Sequence, residues 1–173
     1  MLLKTETAMR DALEAAKELV AKDFSLLDQK RWDEWLELFD ASCEYWVPTW
    51  LNEEMLSSDP TSQIAHIFYS SRSGLEDRVL RIKSGKSPAS SPARRTCHTL
   101  GNVVPKSASP SLVELWISWT CDVYEPHSRS AIRLFGHAEY RCHHVPHQGW
   151  TIRSRKTVVL NDFLPSVVDV YCL

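Results

Sequence analysis

The chain has 173 residues, 43% of them apolar and 24% charged, ordinary proportions for one soluble globular domain spanning residues 1–173. These values exclude a disordered tail or a collagen-like fibre. Twenty Lys and Arg against 22 Asp and Glu leave a formal charge of −2, so no basic excess exists to neutralise a phosphate backbone, which argues against a nucleic-acid binder.

The front of the chain, about residues 5–40, reads as helical. From Leu13, the residues Ala16, Val20, Phe24 and Leu27 recur at steps of three or four, the stripe of an amphipathic helix. Asp28-Gln29-Lys30 interrupts it. Trp32, Trp35, Leu36 and Phe39 then give a second, short helix an almost wholly aromatic face, with Asp33, Glu34 and Glu37 on its solvated side. Aromatics at this spacing predict core, and Trp32, Trp35 and Phe39 are expected there. Cys43 to Trp50 reads as a first strand, stopped near Pro48. Asn52 to Pro60 is a polar loop, and Ile64 to Tyr69 a second, short strand.

Ser73-Gly74-Leu75-Glu76 has capping-box spacing, with Ser73 at the N-cap and Glu76 at the third helical position. The helix predicted over about 73–84 buries Leu75, Val79 and Ile82, stops at Gly85, and carries Glu76-Asp77-Arg78 as an exposed charge run. Ser84 to Pro92, rich in Ser, Pro and Ala, is then an exposed loop.

The remainder reads as long antiparallel sheet. Val113, Leu115, Ile117, Trp119, Cys121 and Val123 alternate with mostly polar residues, the period of a strand with one buried face. Ile132 to Cys142 does the same, Pro146 to Gly149 makes a turn, and Trp150 to Leu160 returns as a third long strand. Val167 to Tyr171 is expected to add a final edge. Helices followed by a run of antiparallel strands define an α+β fold, with the helices on one face of a curved sheet.

Chemical motifs are few. No dinucleotide or P-loop phosphate cradle, no C-x-x-C pair and no H-E-x-x-H occurs. Cys97-His98 lacks the spacing and the second pair that a Rieske cluster needs. Cys142-His143-His144 with His147 suggests a metal at first sight, but adjacent residues of a strand face opposite ways, so exposed histidines at a hairpin end is the preferred reading. Five scattered cysteines (Cys43, Cys97, Cys121, Cys142 and Cys172) fit reduced thiols in a cytoplasmic protein better than a disulfide framework. Lys4 and Glu6 directly follow Met1-Leu2-Leu3, so neither a signal peptide nor a membrane span is expected. Arg94-Arg95-Thr96-Cys97-His98, a basic patch entering a strand, is either a solvated loop end or a dock for an acidic partner. Were the curved sheet to enclose a pocket of its own, Tyr45, Asp40 and His98 would be the candidate acid–base residues.

Six strings, in order, carry a resemblance: Tyr45-Trp46-Val47-Pro48; Ser73 to Val79; Arg95-Thr96-Cys97-His98 leading to Asn102-Val103; Phe135 to Tyr140; Lys156 to Asp162; and Val167 to Tyr171. From about residue 20 onward the chain resembles the small (β) subunit of aromatic-ring-hydroxylating dioxygenases, especially the benzoate, toluate and anthranilate group. The resemblance implies the cone-like fold shared with nuclear transport factor 2 and scytalone dehydratase. It also implies a structural role, with no catalytic, cofactor-binding or metal-binding residue in this chain. A large (α) subunit is expected to carry a Rieske [2Fe–2S] cluster and mononuclear Fe(II). The complex, typically an α3β3 hexamer fed with NADH-derived electrons by a reductase, adds O2 to an aromatic acid to give a cis-dihydrodiol. Such a subunit needs surfaces for neighbouring β chains and for the α subunit. The seven tryptophans fit that need, because Trp, Tyr and Arg are enriched at interface centres. Trp46, Trp50, the loop through Pro60, Arg78, Arg94 and Arg95 are the candidate contact residues. The competing expectation is a free-standing cone-fold dehydratase or isomerase, and a small-molecule binding module of the same fold is a third.

Overall fold

The computed structural model describes residues 2–85, 93–164 and 167–173, with side chains from residue 5 onward. Nine elements follow one another: α1 (Leu2–Asp28), α2 (Trp32–Glu37), β1 (Phe39–Pro48), β2 (Ala65–Tyr69), α3 (Arg72–Lys83), β3 (Arg95–Ala108), β4 (Leu112–Glu125), β5 (Ser130–Val145) and β6 (Gly149–Val159). A single 3₁₀ turn follows at Val170–Cys172. The strands form one curved sheet in the order β2-β1-β6-β5-β4-β3.

The sheet is mixed. All neighbouring pairs are antiparallel except β1 and β6, which run parallel. This corrects the all-antiparallel expectation. Strand pairs more than a hundred residues apart leave no local pattern, and the parallel register, Tyr45 against Arg155, is fixed by tertiary packing alone.

The apolar stripe of α1 lies on the inner face of the sheet. Ala16, Val20, Phe24 and Leu27 are buried there with the inward residues of β4 (Val113, Leu115, Ile117, Trp119, Cys121 and Val123). Trp35 and Phe39 are fully buried, and Trp32 packs half-buried against the same core. The rings of Trp35 and Phe39 meet edge to face at 5.0 Å. Phe39, however, is the first residue of β1. Helix α2 ends at Glu37 and the Leu38 carbonyl accepts the Ile152 N–H at 2.8 Å, so the chain enters the sheet four residues before the expected Cys43.

Two more expectations change. Helix α3 is capped two residues early, with Ser71 rather than Ser73 at the N-cap and no side-chain cap bond. Ser73 is bonded hydroxyl to hydroxyl with Ser71 at 2.7 Å, and Glu76 is drawn to Arg72 at 2.9 Å, so the capping box does not form. Gly85 does end this helix, at φ +63°, a conformation that glycine takes without strain. The expected edge strand at Val167 to Tyr171 is instead extended chain entering the 3₁₀ turn, where the Asp169 carboxylate caps the Val170 N–H. Most of the expected loop from Ser84 to Pro92 lies outside the described residues. Strand β3 runs 14 residues from the basic patch onward.

Candidate functional site

The interior of the cone is where a free-standing enzyme of this shape would keep its acid and base. Its centre is a buried charge pair, Asp23 of α1 and Arg155 of β6, both with no exposed surface. Both follow from local periodicity. Asp23 sits four residues after Leu19 and four before Leu27, on the buried stripe, and Arg155 occupies an inward position two before Thr157 and four before Val159.

Asp23 Oδ1 accepts from Trp35 Nε1 at 2.7 Å and from Arg155 Nη1 at 3.1 Å. Its Oδ2 accepts from the Tyr140 hydroxyl at 2.8 Å and lies 2.9 Å from the same Arg155 nitrogen. Three donors therefore converge on the Asp23 carboxylate, and Arg155 Nη1 bridges both of its oxygens. Arg155 sends Nε to Thr157 Oγ1 at 3.2 Å and Nη2 to the Leu173 carbonyl at 2.5 Å. Its guanidinium carbon lies 5.3 Å from the ring centres of Phe24 and Tyr45 and 5.4 Å from that of Tyr140. Burial alone would lower the pKa of Arg155, but the Asp23 carboxylate, together with Tyr140 and Tyr45, outweighs it and the shift is upward. Burial likewise pushes the Tyr140 and Tyr45 hydroxyls well above their ordinary range. Trp35, Tyr140 and Arg155 all donate to the one Asp23 carboxylate, so the network is a structural lock that ties α1, α2, β5 and β6 together.

The three acid–base candidates from the sequence are not brought together. The Tyr45 hydroxyl is buried with no partner among the described residues. Asp40 accepts from the Ser42 N–H at 2.8 Å and lies 3.2 Å from His143 Nε2. His98 meets Asp28 at the end of α1, with Nδ1 2.7 Å from one carboxylate oxygen and its backbone N–H 2.8 Å from the other. His98 stacks on Phe24 at 5.1 Å, and its Nε2 is buried without a partner among the described residues. His144 packs against Trp150 and His143 points to Asp40, so the histidines of the hairpin end have separate neighbours. Among the described residues no group of three or more His, Cys, Asp or Glu could hold a metal ion.

The five surface candidates fall in three places. Trp46 lies on the outer face of β1, opposite the core residues Tyr45 and Val47, and only 7% of it is exposed. The Lys156 ammonium sits 4.4 Å from its ring centre, and its Nε1 has no partner among the described residues. Trp50, just past β1, is 37% exposed, and its Nε1 donates to the Val159 carbonyl at 2.8 Å. Arg78 is not in a free charge run: its Nε donates to Asp169 at 2.8 Å and its Nη2 to the other carboxylate oxygen. Arg94 pairs with Glu125 at 2.6 Å, and Arg95 lies over the Tyr124 ring at 5.7 Å. The basic patch is thus tied to the end of β4, while Trp46 and Trp50 belong to the opposite half of the sheet.

The family model described as "Ring hydroxylating beta subunit" matches residues 22–166. The small subunit of 2-halobenzoate 1,2-dioxygenase from Burkholderia cepacia is 36% identical over 152 residues, covering 88% of this chain and 90% of that one. The crystal structure of the β subunit of benzoate 1,2-dioxygenase from Burkholderia mallei superposes with a TM-score of 0.73 at 30% identity, covering 91% of this chain and 95% of that one. An NTF2-like protein from Novosphingobium aromaticivorans superposes with a TM-score of 0.60 at 13% identity, covering 91% of this chain and 88% of that one, a likeness of fold alone.

Proposed function

The chain belongs to the ring-hydroxylating β-subunit family, and on that footing we propose that it is the assembly subunit of a Rieske non-haem iron dioxygenase acting on a benzoate-type aromatic acid. Membership makes it one component of a multicomponent oxygenase, with an α subunit as partner. In this proposal the α subunit holds the Rieske cluster and the mononuclear iron. Three α and three β chains assemble in the cytoplasm, and a reductase passes electrons from NADH. The whole chain acts as one domain and contributes no reacting group.

The observation that carries the structural role is the closed cone. The Asp23 carboxylate is engaged by Trp35, Tyr140 and Arg155 of the chain itself rather than presented to a substrate. The choice of an aromatic acid is supported by the names of the relatives, which specify benzoate and 2-halobenzoate.

The test is native mass and iron content, measured on this chain alone and after co-expression with the large subunit. An iron-free β oligomer that becomes an iron-bearing, hexamer-sized complex with Rieske absorption is the expected result. A chain that stays iron-free and binds no Rieske-bearing partner would overturn the proposal.

A further inference from the structure

Exposed apolar residues are not spread evenly over this molecule. Among the described residues, six of the twelve large apolar side chains that stay exposed are Trp50, Leu51, Met55, Phe135, Leu160 and Phe163. Hydrogen bonds tie their segments together at one end of the sheet. The Leu51 N–H donates to the Met55 carbonyl at 2.8 Å, which folds the loop after β1 onto itself. Trp50 Nε1 reaches the Val159 carbonyl, and Trp50 and Leu160 share an open concavity of about 710 Å³ with Asn52, Glu53 and Asp162. The Leu160 N–H donates to the Phe135 carbonyl at 2.9 Å, and Asn161 Oδ1 accepts the Phe135 N–H at 3.0 Å. A grouped apolar surface framed by polar residues marks a place where another surface belongs.

The frame has one sign. Residues 49–64 contain Glu53, Glu54 and Asp59 and no Lys or Arg, and residues 159–164 contain only Asp162. Arg133, whose carbonyl is held by Asn161, is itself paired with Asp122 at 2.8 Å. The complement of this patch is therefore apolar and basic.

The same patch on a second copy, apposed face to face, does not provide it. The other exposed large apolar residues among those described are Met9 on α1, Ile64 just before β2, Leu80 on α3, Val104 on β3, Tyr124 on β4 and Val167 near the 3₁₀ turn, none of them in this patch. Apposing the patch to itself in a second copy sets Glu53, Glu54 and Asp162 against their own duplicates. We propose that the patch formed by the Trp50–Met55 loop, Phe135 and the Leu160–Phe163 segment docks an apolar, Lys/Arg-rimmed face of the large oxygenase subunit. This assignment rests on the assembly role proposed above.

Two variants of the full chain test it, each co-expressed with the large subunit and titrated against it after purification. The first, Leu51→Ser with Met55→Ser and Phe163→Ser, removes three exposed side chains. The second, Glu53→Lys with Glu54→Lys, reverses the rim on an exposed loop and leaves the apolar residues in place. Each variant should keep the wild-type circular dichroism and the oligomeric state of the chain alone. Each should raise the Kd for the large subunit by about tenfold or more, and the charge reversal should lose its effect at high salt. Wild-type affinity in both folded variants would overturn the assignment. So would a change in the oligomeric state of the chain alone, since the occupant would then be a second copy. A wild-type chain that does not bind the large subunit at all would refute the assembly role itself, an outcome distinct from either.

Discussion

Asp23→Asn is the sharpest perturbation of the closed cone. Asparagine keeps the shape of aspartate and one carbonyl acceptor, but it turns an NH2 donor toward Trp35, Tyr140 and Arg155, of which only the Tyr140 hydroxyl can accept. Arg155, with no exposed surface, then keeps its charge against Thr157 Oγ1 and the Leu173 carbonyl alone. Removing one partner of a buried ion pair costs about 3–5 kcal/mol, because the other charge is left uncompensated. Domains of this size lose about 2–4 °C per kcal/mol, so the melting temperature should fall by roughly 6–20 °C. Tyr140→Phe, which deletes one hydrogen bond to a charged acceptor, should cost less, about 1.5–3 kcal/mol. Urea unfolding followed by circular dichroism measures both, with an unchanged slope as the sign that only stability has moved. The double variant Asp23→Leu, Arg155→Met should recover much of the loss, since apolar residues of similar volume often replace a buried pair without penalty. An Asp23→Asn protein as stable as wild type, or more stable, would refute the reasoning. It would mark Asp23 as a strained, functional carboxylate and reopen the enzyme reading of the cone.

Two further outcomes follow from single positions. A Cβ on Gly136 would lie 1.9 Å from the Val158 carbonyl oxygen of the neighbouring strand, so Gly136→Ala must part β5 from β6. It should cost about 1–3 kcal/mol or more, and a wild-type urea midpoint would contradict the close strand approach. At Asp28, burial pushes the carboxyl pKa up, but the hydrogen bonds from the His98 side chain and backbone N–H outweigh it, and the net shift is downward. The unfolded chain therefore binds the Asp28 proton at higher pH than the folded one. The Asp28 contribution is complete at neutral pH and is lost as pH falls below the ordinary carboxylate value of about 3.9 and through the depressed folded one. Asp28→Asn should lower the midpoint at pH 6, and the gap to wild type should narrow at pH 3; a gap that widens there would reverse the assigned sign.

What was legible in the sequence was whatever repeats locally. The stripe of α1, the apolar face of α3 and the strict alternation of β4 each lie within one element and depend on burial against one surface. Strand β3 gave a weaker signal because it buries little. Its inward residues are only half-buried, and its register slips between Leu100 and Val103 and again between Pro105 and Ser107, which breaks the period of two. Phe39 fitted the aromatic spacing of a helix and is equally buried as the first residue of a strand, so periodicity could not separate the two. The charge lock was also written in the chain. An aspartate within the buried stripe of α1 and an arginine at an inward position of β6 are both costly unless they meet. Their pairing crosses 132 positions, and only the tertiary fold reveals it.

A cone closed in this way sets where function can reside. Arg155 is enclosed by Phe24, Tyr45 and Tyr140 and tied through Asp23 to Trp35, so α1, α2, β1, β5 and β6 all meet at one guanidinium. Opening that interior to a substrate would strip partners from two fully buried charges, at a cost comparable with the stability of a whole domain. The same fold can be an enzyme where its interior is left open, because fold does not fix function. Here the rigid interior makes the outer surface dependable. The loop after β1 is stapled to the end of β6 by Trp50, and the segment after β6 is stapled to β5 by Asn161, so the exposed apolar patch is held by strands that the charge lock keeps in register. A loss of docking in a folded patch variant and a loss of folding in Asp23→Asn are then separate measurements of two linked features, a preorganised outer face and the filled core that holds it in place.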